Sequence, residues 1–250
     1  PVFIYPDGHE EVIRRRGPSR IQEQLAFVRK AVVLRAEAIV VECMAIEPSL
    51  QYISETKMLK STIGVITNVR QDHLEVMGDT LNDIAGSLSL TIPVGGKLVT
   101  GDKEFFEFFK TRAHKKGTEV LLADRETSQG PMNSHGILDE NLIVAGTLCT
   151  LIRGMGYAIP HAVINGSSEA CIPQIYALCR EERRMHFVDA FSANDIDSTR
   201  AIQNLLLKGS TCIKPFVALF NNRADRPLRM RSFASFLASE PLYDYVMIMG

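Results

Sequence analysis

The chain has 250 residues, 46% apolar and 23% charged, with a net charge of −1. That length allows one large domain or two ordinary ones. The near-neutral charge speaks against a nucleic-acid binder, which would carry a basic face, and no apolar run reaches the roughly 18 residues of a membrane span.

The chain opens at Pro1 on a strand-like "PVFIY" and stops at Gly250 after a strand-like "YDYVMIM". Both ends read as cut, so an anchor or motif is expected outside them; no signal peptide is recognised. A helix is predicted from Ser19 to Leu34, with Ser19 as N-cap and Gln22 three residues on. Strands follow at Ala36–Met44 and in "STIGVITNV" from Ser61. Leu81, Ile84, Ala85 and Leu88 recur at helical spacing within a helix from Asp79 to Ile92. Then come a short strand "GKLVTG", a helix "KEFFEFFKTRAHKK", a strand "TEVLLAD" and an apolar helix from Asn141 to Gly156 that ends on glycines. After a loop-rich stretch, strands at His186–Phe191, Pro215–Phe220 and Tyr243–Met249 alternate with helices near 198–208 and 230–238. Five cysteines without a C-x-x-C pair read as free thiols in a reducing compartment, and a zinc ribbon is not expected.

Alternating strands and helices imply an α/β protein with a doubly wound, mostly parallel sheet. The polar "CREERR", Cys179 to Arg184, marks the expected boundary between a block of residues 1–184 and a second, incomplete α/β block of residues 185–250. In such sheets ligands gather where strands end, and four strand ends here are polar. One carries Glu42, a second Asn68 to His73, a third Asp189 to Asn194, and a fourth runs into "NNRADR", Asn221 to Arg226.

Each has a plain reading and a chemical one. Glu42 is either a solvent-exposed strand end or a carboxylate paired or bound to metal. His73 is either structural or one ligand of a hard cation such as Mg²⁺, which prefers carboxylate oxygen and keeps waters. The 189–198 segment is an Asx-rich turn capped by Asp197 or Ser198, which leaves Asp189 unexplained. Arg223 and Arg226 could hold a phosphate or carboxylate in bidentate fashion, or belong to a turn closed by Pro227. "RRRGP", Arg14 to Pro18, is a solvated turn or, with a polyanionic substrate, a docking patch. "PVGGK" reads as a turn, and no G-x-x-x-x-G-K loop occurs.

Thr67, Asn68, Asp72, His73, Leu74, Glu75, Gly78 and Thr80 together resemble the histidine motif of the Mur ligase superfamily, which includes folylpolyglutamate synthases. "VECMAIEP" resembles the strand that ends in that family's magnesium-binding Glu, and "DAFSANDIDST" the start of its C-terminal domain. From about Arg15 to the end, with a weaker middle between Lys103 and Arg184, the chain is most similar to the poly-γ-glutamate synthase branch of capsule biosynthesis.

The resemblance implies a P-loop-type central domain whose phosphate loop precedes Pro1, followed by the beginning of a ligase C-terminal domain. It implies ATP and Mg²⁺ as cofactors, with Glu42 and His73 as catalytic metal ligands. Asn68, Asp189 and Asn194 would contact nucleotide, and Arg223 and Arg226 would face nucleotide or substrate charge. ATP would phosphorylate a terminal carboxylate, and an amine would displace the phosphate from the acyl phosphate.

The expected partners are glutamate, the growing poly-γ-glutamate chain and membrane subunits of a synthase complex on the cytoplasmic side, with homo-oligomers left open and no nucleic acid. One departure stands out: many murein ligases carry a carbamylated lysine 15 residues beyond the histidine, where this chain has Leu88. A non-catalytic Mur-like scaffold subunit and a folylpolyglutamate-type ligase are the competing readings.

Overall fold

A computed structural model of the chain describes residues 2–5, 7–14, 17, 20–124, 126, 138–159, 175–180, 183–191, 193–208, 214–224 and 226–250. Ser19, the expected N-cap, lies outside them, as do residues 15–16 and Pro18 of the basic turn.

Strands β1 (Val2–Ile4) and β2 (Glu10–Val12) pair antiparallel. Phe3 packs its ring against Tyr5 and against Phe27 of helix α1 (Glu23–Val33), with Lys30 over both rings of the hairpin. A short helix α2 (Pro48–Ile53), started by its N-terminal proline, runs into a π-helical turn (Ser54–Leu59). Three parallel strands follow in spatial order: β3 (Ile63–Ile66), β4 (Lys97–Thr100) and β5 (Glu119–Leu122). Between them lie α3 (Leu74–Met77), α4 (Leu81–Leu88) and α5 (Phe106–His114); α6 (Leu138–Gly154) comes after β5.

Helices cover both faces of this sheet, as expected for a doubly wound architecture. Successive side chains of a strand point to opposite faces, and β4 shows it directly. Leu98 packs with Ile84 and Ala85 of α4 and Phe109 of α5, while its neighbour Val99 packs with Val144 of α6. Both strand residues are fully buried, as strands covered on two faces should be. The predicted helix over 79–92 is α4 plus a 3₁₀ turn (Ser89–Thr91), begun by a reciprocal capping box between Thr80 and Asp83.

The predicted strand Ala36–Met44 does not join a sheet. The segment is irregular, and Val40 is 88% exposed. Buried side-chain amides bond to its last residues and to those that follow. Gln24 donates to the Glu42 carbonyl at 3.2 Å and accepts from Ser54 Oγ at 2.5 Å; Gln51 donates to the Ala45 carbonyl at 3.1 Å and accepts from Ser87 at 2.9 Å. Backbone polar groups need partners, but glutamine serves as well as a neighbouring strand.

Strands β6 (Ile175–Arg180) and β7 (Arg183–Val188) form an antiparallel hairpin over the expected boundary, with residues 181–182 outside the described set. The C-terminal block adds α7 (Ile196–Lys208), β8 (Val217–Asn221), α8 (Pro227–Ser239) and β9 (Tyr245–Met249), with β8 and β9 parallel. Phe233, Phe236 and Leu237 of α8 pack on Ala218 of β8. Among the described residues no helix is long and apolar enough to cross a membrane.

Candidate active site

The site is built at the carboxyl end of β3. The chain leaves Ile66 into a loop that is pinned by its neighbour strand. Asp102, just past β4, accepts from the Val69 amide at 2.8 Å and from the Phe105 amide at 2.8 Å. Gly101 lets the two loops approach. A Cβ there would stand 2.6 Å from the Thr67 carbonyl oxygen and 2.9 Å from the Val144 side chain.

This loop delivers His73 in the left-handed region, φ 53°, at the start of α3. A non-glycine residue in that region is uncommon and costs backbone energy. The Asp72 carboxylate braces the turn by accepting from the His73 amide at 3.0 Å.

Two segments distant in sequence meet here. Arg226, at the start of α8, donates from Nη1 to Asp72 at 3.2 Å, and its Nη2 lies 3.3 Å from His73 Nε2. The same Nε2 lies 3.5 Å from Asp72 Oδ2, so this ring nitrogen faces both a guanidinium donor and a carboxylate acceptor. Burial pushes the imidazole pKa below its ordinary value, Arg226 and Arg223 push it further down, and Asp72 and Glu75 oppose them. These surroundings favour the neutral ring. Glu75 accepts from the Leu228 amide at 3.1 Å, placing a carboxylate on the first turn of α8.

A second tie runs beside the first. Arg70 donates to Ser198 Oγ at 2.9 Å and to Glu140 at 2.7 Å, with Asp195 3.7 Å away. Asp195 in turn accepts from the Ser198 amide at 2.8 Å and from its hydroxyl at 2.6 Å. The cap of α7 expected at Asp197 or Ser198 is thus made by the Asp195 carboxylate.

The predicted site residues fall into two groups. His73 and Arg226 touch, and Arg223 lies near enough to depress the His73 pKa. Asn68 is half-buried in the same loop, just before Val69. Glu42 stands exposed on the irregular segment, and none of the contacts found among the described residues joins it to His73. Asp189 and Asn194 are exposed, and Asp189 accepts from the Phe191 amide at 3.2 Å as an Asx turn. Leu88 packs against the core of α4 and α5, an apolar setting with no ligating role.

Asp102, Arg70 and Asp195 were not singled out as site residues. Asp102 had a usable signal: it ends a strand, as Asp189 does. Among the described residues no three His, Cys, Asp or Glu side chains gather as a metal cage. Magnesium does not need one, since it draws ligands from water and phosphate as well as one or two carboxylates. Glu42 and His73 are of residue types that can ligate such an ion, and Arg226 now occupies the Nε2 side of the ring.

Comparison with known proteins agrees with the motif resemblance. Residues 175–250 match the family model described as Poly-gamma-glutamate synthase CapB C-terminal domain. The chain is 35% identical over 247 residues to PGA synthase CapB of Bacillus subtilis (strain 168), covering 93% of this chain and 61% of that protein. It is 30% identical over 237 residues to Capsule biosynthesis protein CapB of Bacillus anthracis, covering 93% of this chain and 51% of that one. It thus spans a little over half the length of these relatives.

Among solved structures, it superposes on the apo form of L. casei FPGS with a TM-score of 0.55 at 14% identity, over 91% of this chain and 70% of that one. An FPGS–AMPPCP complex gives 0.56 at 14%, over 91% and 71%. At that identity the likeness establishes the fold, which is the Mur ligase α/β fold the sequence led one to expect.

Proposed function

We propose that this chain is the greater part of an ATP-dependent amide ligase that forms γ-glutamyl bonds in poly-γ-glutamate synthesis. The observation that carries the reading is its similarity, over 93% of its length, to a protein named PGA synthase CapB. The meeting of the His73 loop with the start of α8 supports it, because an acyl-phosphate reaction needs positive charge held over phosphate oxygens more than a protein nucleophile.

In this reading a terminal carboxylate oxygen of the polymer attacks the γ-phosphorus of ATP, and ADP leaves. The amine of glutamate then attacks the acyl carbon, loses a proton, and expels phosphate. Arg226 and Arg223 oppose the charge of nucleotide or substrate. Asn68, Asp189 and Asn194 contact the nucleotide. His73 stays neutral, its lone pair available for coordination. Magnesium, held by Glu42 and His73, would neutralise phosphate charge when bound. We further assign residues 1–184 to the central ATPase-type domain and residues 185–250 to the ligase C-terminal domain, working with membrane subunits on the cytoplasmic side.

The test uses full-length protein with Mg²⁺, ATP and glutamate. Glutamate-dependent release of ADP and phosphate is expected. Glu42→Ala and His73→Ala should each lower the rate at least ~100-fold, and near-normal rates in both would end this assignment. Replacing glutamate polymer with a folate acceptor separates the folylpolyglutamate-type alternative. A folded full-length protein that binds its membrane subunits and releases no ADP would point to a scaffold.

A further inference from the structure

Where β8 gives way to α8 the surface dips into a shallow, open depression with no enclosed space large enough for a water molecule. Its walls carry three guanidinium groups, from Arg223, Arg226 and Arg229, with Asn221 and Asn222 beside them. Arg229 was not among the site residues expected from the sequence. It sits one helical turn beyond Arg226, so the two lie on the same side of α8.

Arg229 is half-buried, with its guanidinium 5.5 Å from the Phe233 ring. One bond is formed, from Nη2 to the Ala193 carbonyl, and at 3.5 Å it is long. Its Nε is buried and has no hydrogen-bond partner among the described residues. A buried donor on a charged group costs more when left unmade than a neutral one. Arg226 has Asp72 as its counter-ion. For Arg229 no carboxylate lies within ion-pair distance among the described residues. A planar guanidinium fork matches the paired oxygens of a carboxylate or phosphate.

We infer that Arg229, with Arg223 and Arg226, forms an oxyanion-binding subsite at the start of α8, the under-bonded Arg229 guanidinium turning to meet a ligand oxygen as it binds. The ligand is a phosphate or carboxylate group; the ligase reading is used only to say which reactants carry one, ATP through its phosphates or the γ-linked glutamate chain through its carboxylates.

The test measures binding to full-length protein by calorimetry at low and high salt. The probes are inorganic phosphate, a non-hydrolysable ATP analogue with Mg²⁺, and γ-linked triglutamate. Arg229→Gln should weaken at least one of these roughly tenfold or more, the loss expected of a charge-assisted hydrogen bond, while the melting temperature stays within a few degrees. Arg229→Lys should restore only part of it, because the charge returns without the fork. Selective loss of the nucleotide analogue assigns the phosphate source; selective loss of triglutamate assigns the carboxylate source.

Unchanged affinity for all three probes in Arg229→Gln overturns the proposal. If neither variant folds, the Arg229 Nε–H resonance of the unsubstituted protein decides: a shift and slower exchange on adding the probes supports the subsite, and no response to any probe overturns it. The outcome is separable from the ligase reading. A protein that binds these probes through Arg229 yet never releases ADP keeps the subsite and loses the reaction, whereas a working ligase indifferent to Arg229 does the reverse.

Discussion

The β3–β4–β5 sheet and the β8–β9 pair are both parallel, yet they are buried very differently. In the first, β4 has neighbours on both edges and helices on both faces, and Leu98, Val99 and Thr100 are fully buried. In the second, α8 packs on β8 through Phe233 and Phe236, while every residue of β9 is exposed, including Met247 and Ile248. The contrast teaches how each block is tied to the His73 loop. The central sheet fixes the His73 loop through Asp102 and Gly101. The C-terminal block reaches that loop chiefly through polar contacts from Arg226, Leu228 and Ser198. Among the described residues the His73 loop thus sits between one block with a filled core and one joined to it chiefly by hydrogen bonds.

Substitutions can break or sharpen this contrast. The largest effect should come from Phe109→Ala, which empties a fully buried ring site and is expected to cost about 3–5 kcal/mol in denaturant unfolding. Phe233→Ala, in the thinner C-terminal core, should fall at the low end of that range, about 3 kcal/mol. A larger loss there than at Phe109 would reverse the ranking. Arg70→Ala strips Ser198, Glu140 and Asp195 of their common partner. It should cost about 1–2 kcal/mol and speed limited proteolysis of the C-terminal block before the central one; simultaneous cleavage of both would show that Arg70 does not join them. Thr80→Ala removes the capping box of α4 and should cost roughly 1 kcal/mol, read as a shift in the unfolding midpoint.

The smallest effect is a pH dependence. Folding holds the His73 pKa below the ordinary imidazole value of about 6.5, so between the two values the unfolded chain binds more protons. The stability tied to neutral His73 is fully present above about pH 6.5 and is lost as the pH falls through the folded value. His73→Ala should flatten the stability profile on that acid side. An unchanged slope would mean the ring is not held neutral by its surroundings.

Much of the fold could be read from the chain. Leu81, Ile84, Ala85 and Leu88 at helical spacing gave α4, and short apolar runs gave β3, β4 and β5, because burial on a helix face or in a sheet demands those patterns. The same rule failed at Ala36–Met44. Its apolar run looks like a strand, but the Glu42 carbonyl takes its bond from Gln24, 18 positions away and polar, so no local pattern announces it. For the site, the histidine motif and the "NNRADR" turn were visible as polar strand ends. Arg229 was not, since an arginine inside an amphipathic helix looks like any solvated one.

Local sequence thus determined which segments are helix or strand and which groups at their ends need partners, since periodicity and side-chain polarity are properties of neighbouring residues. Tertiary structure alone decided which partners they take. Arg226 meets Asp72 across 154 positions of chain, a pairing that exists only because α8 packs beside α3. Charge states what a guanidinium seeks, and packing decides what comes within its reach.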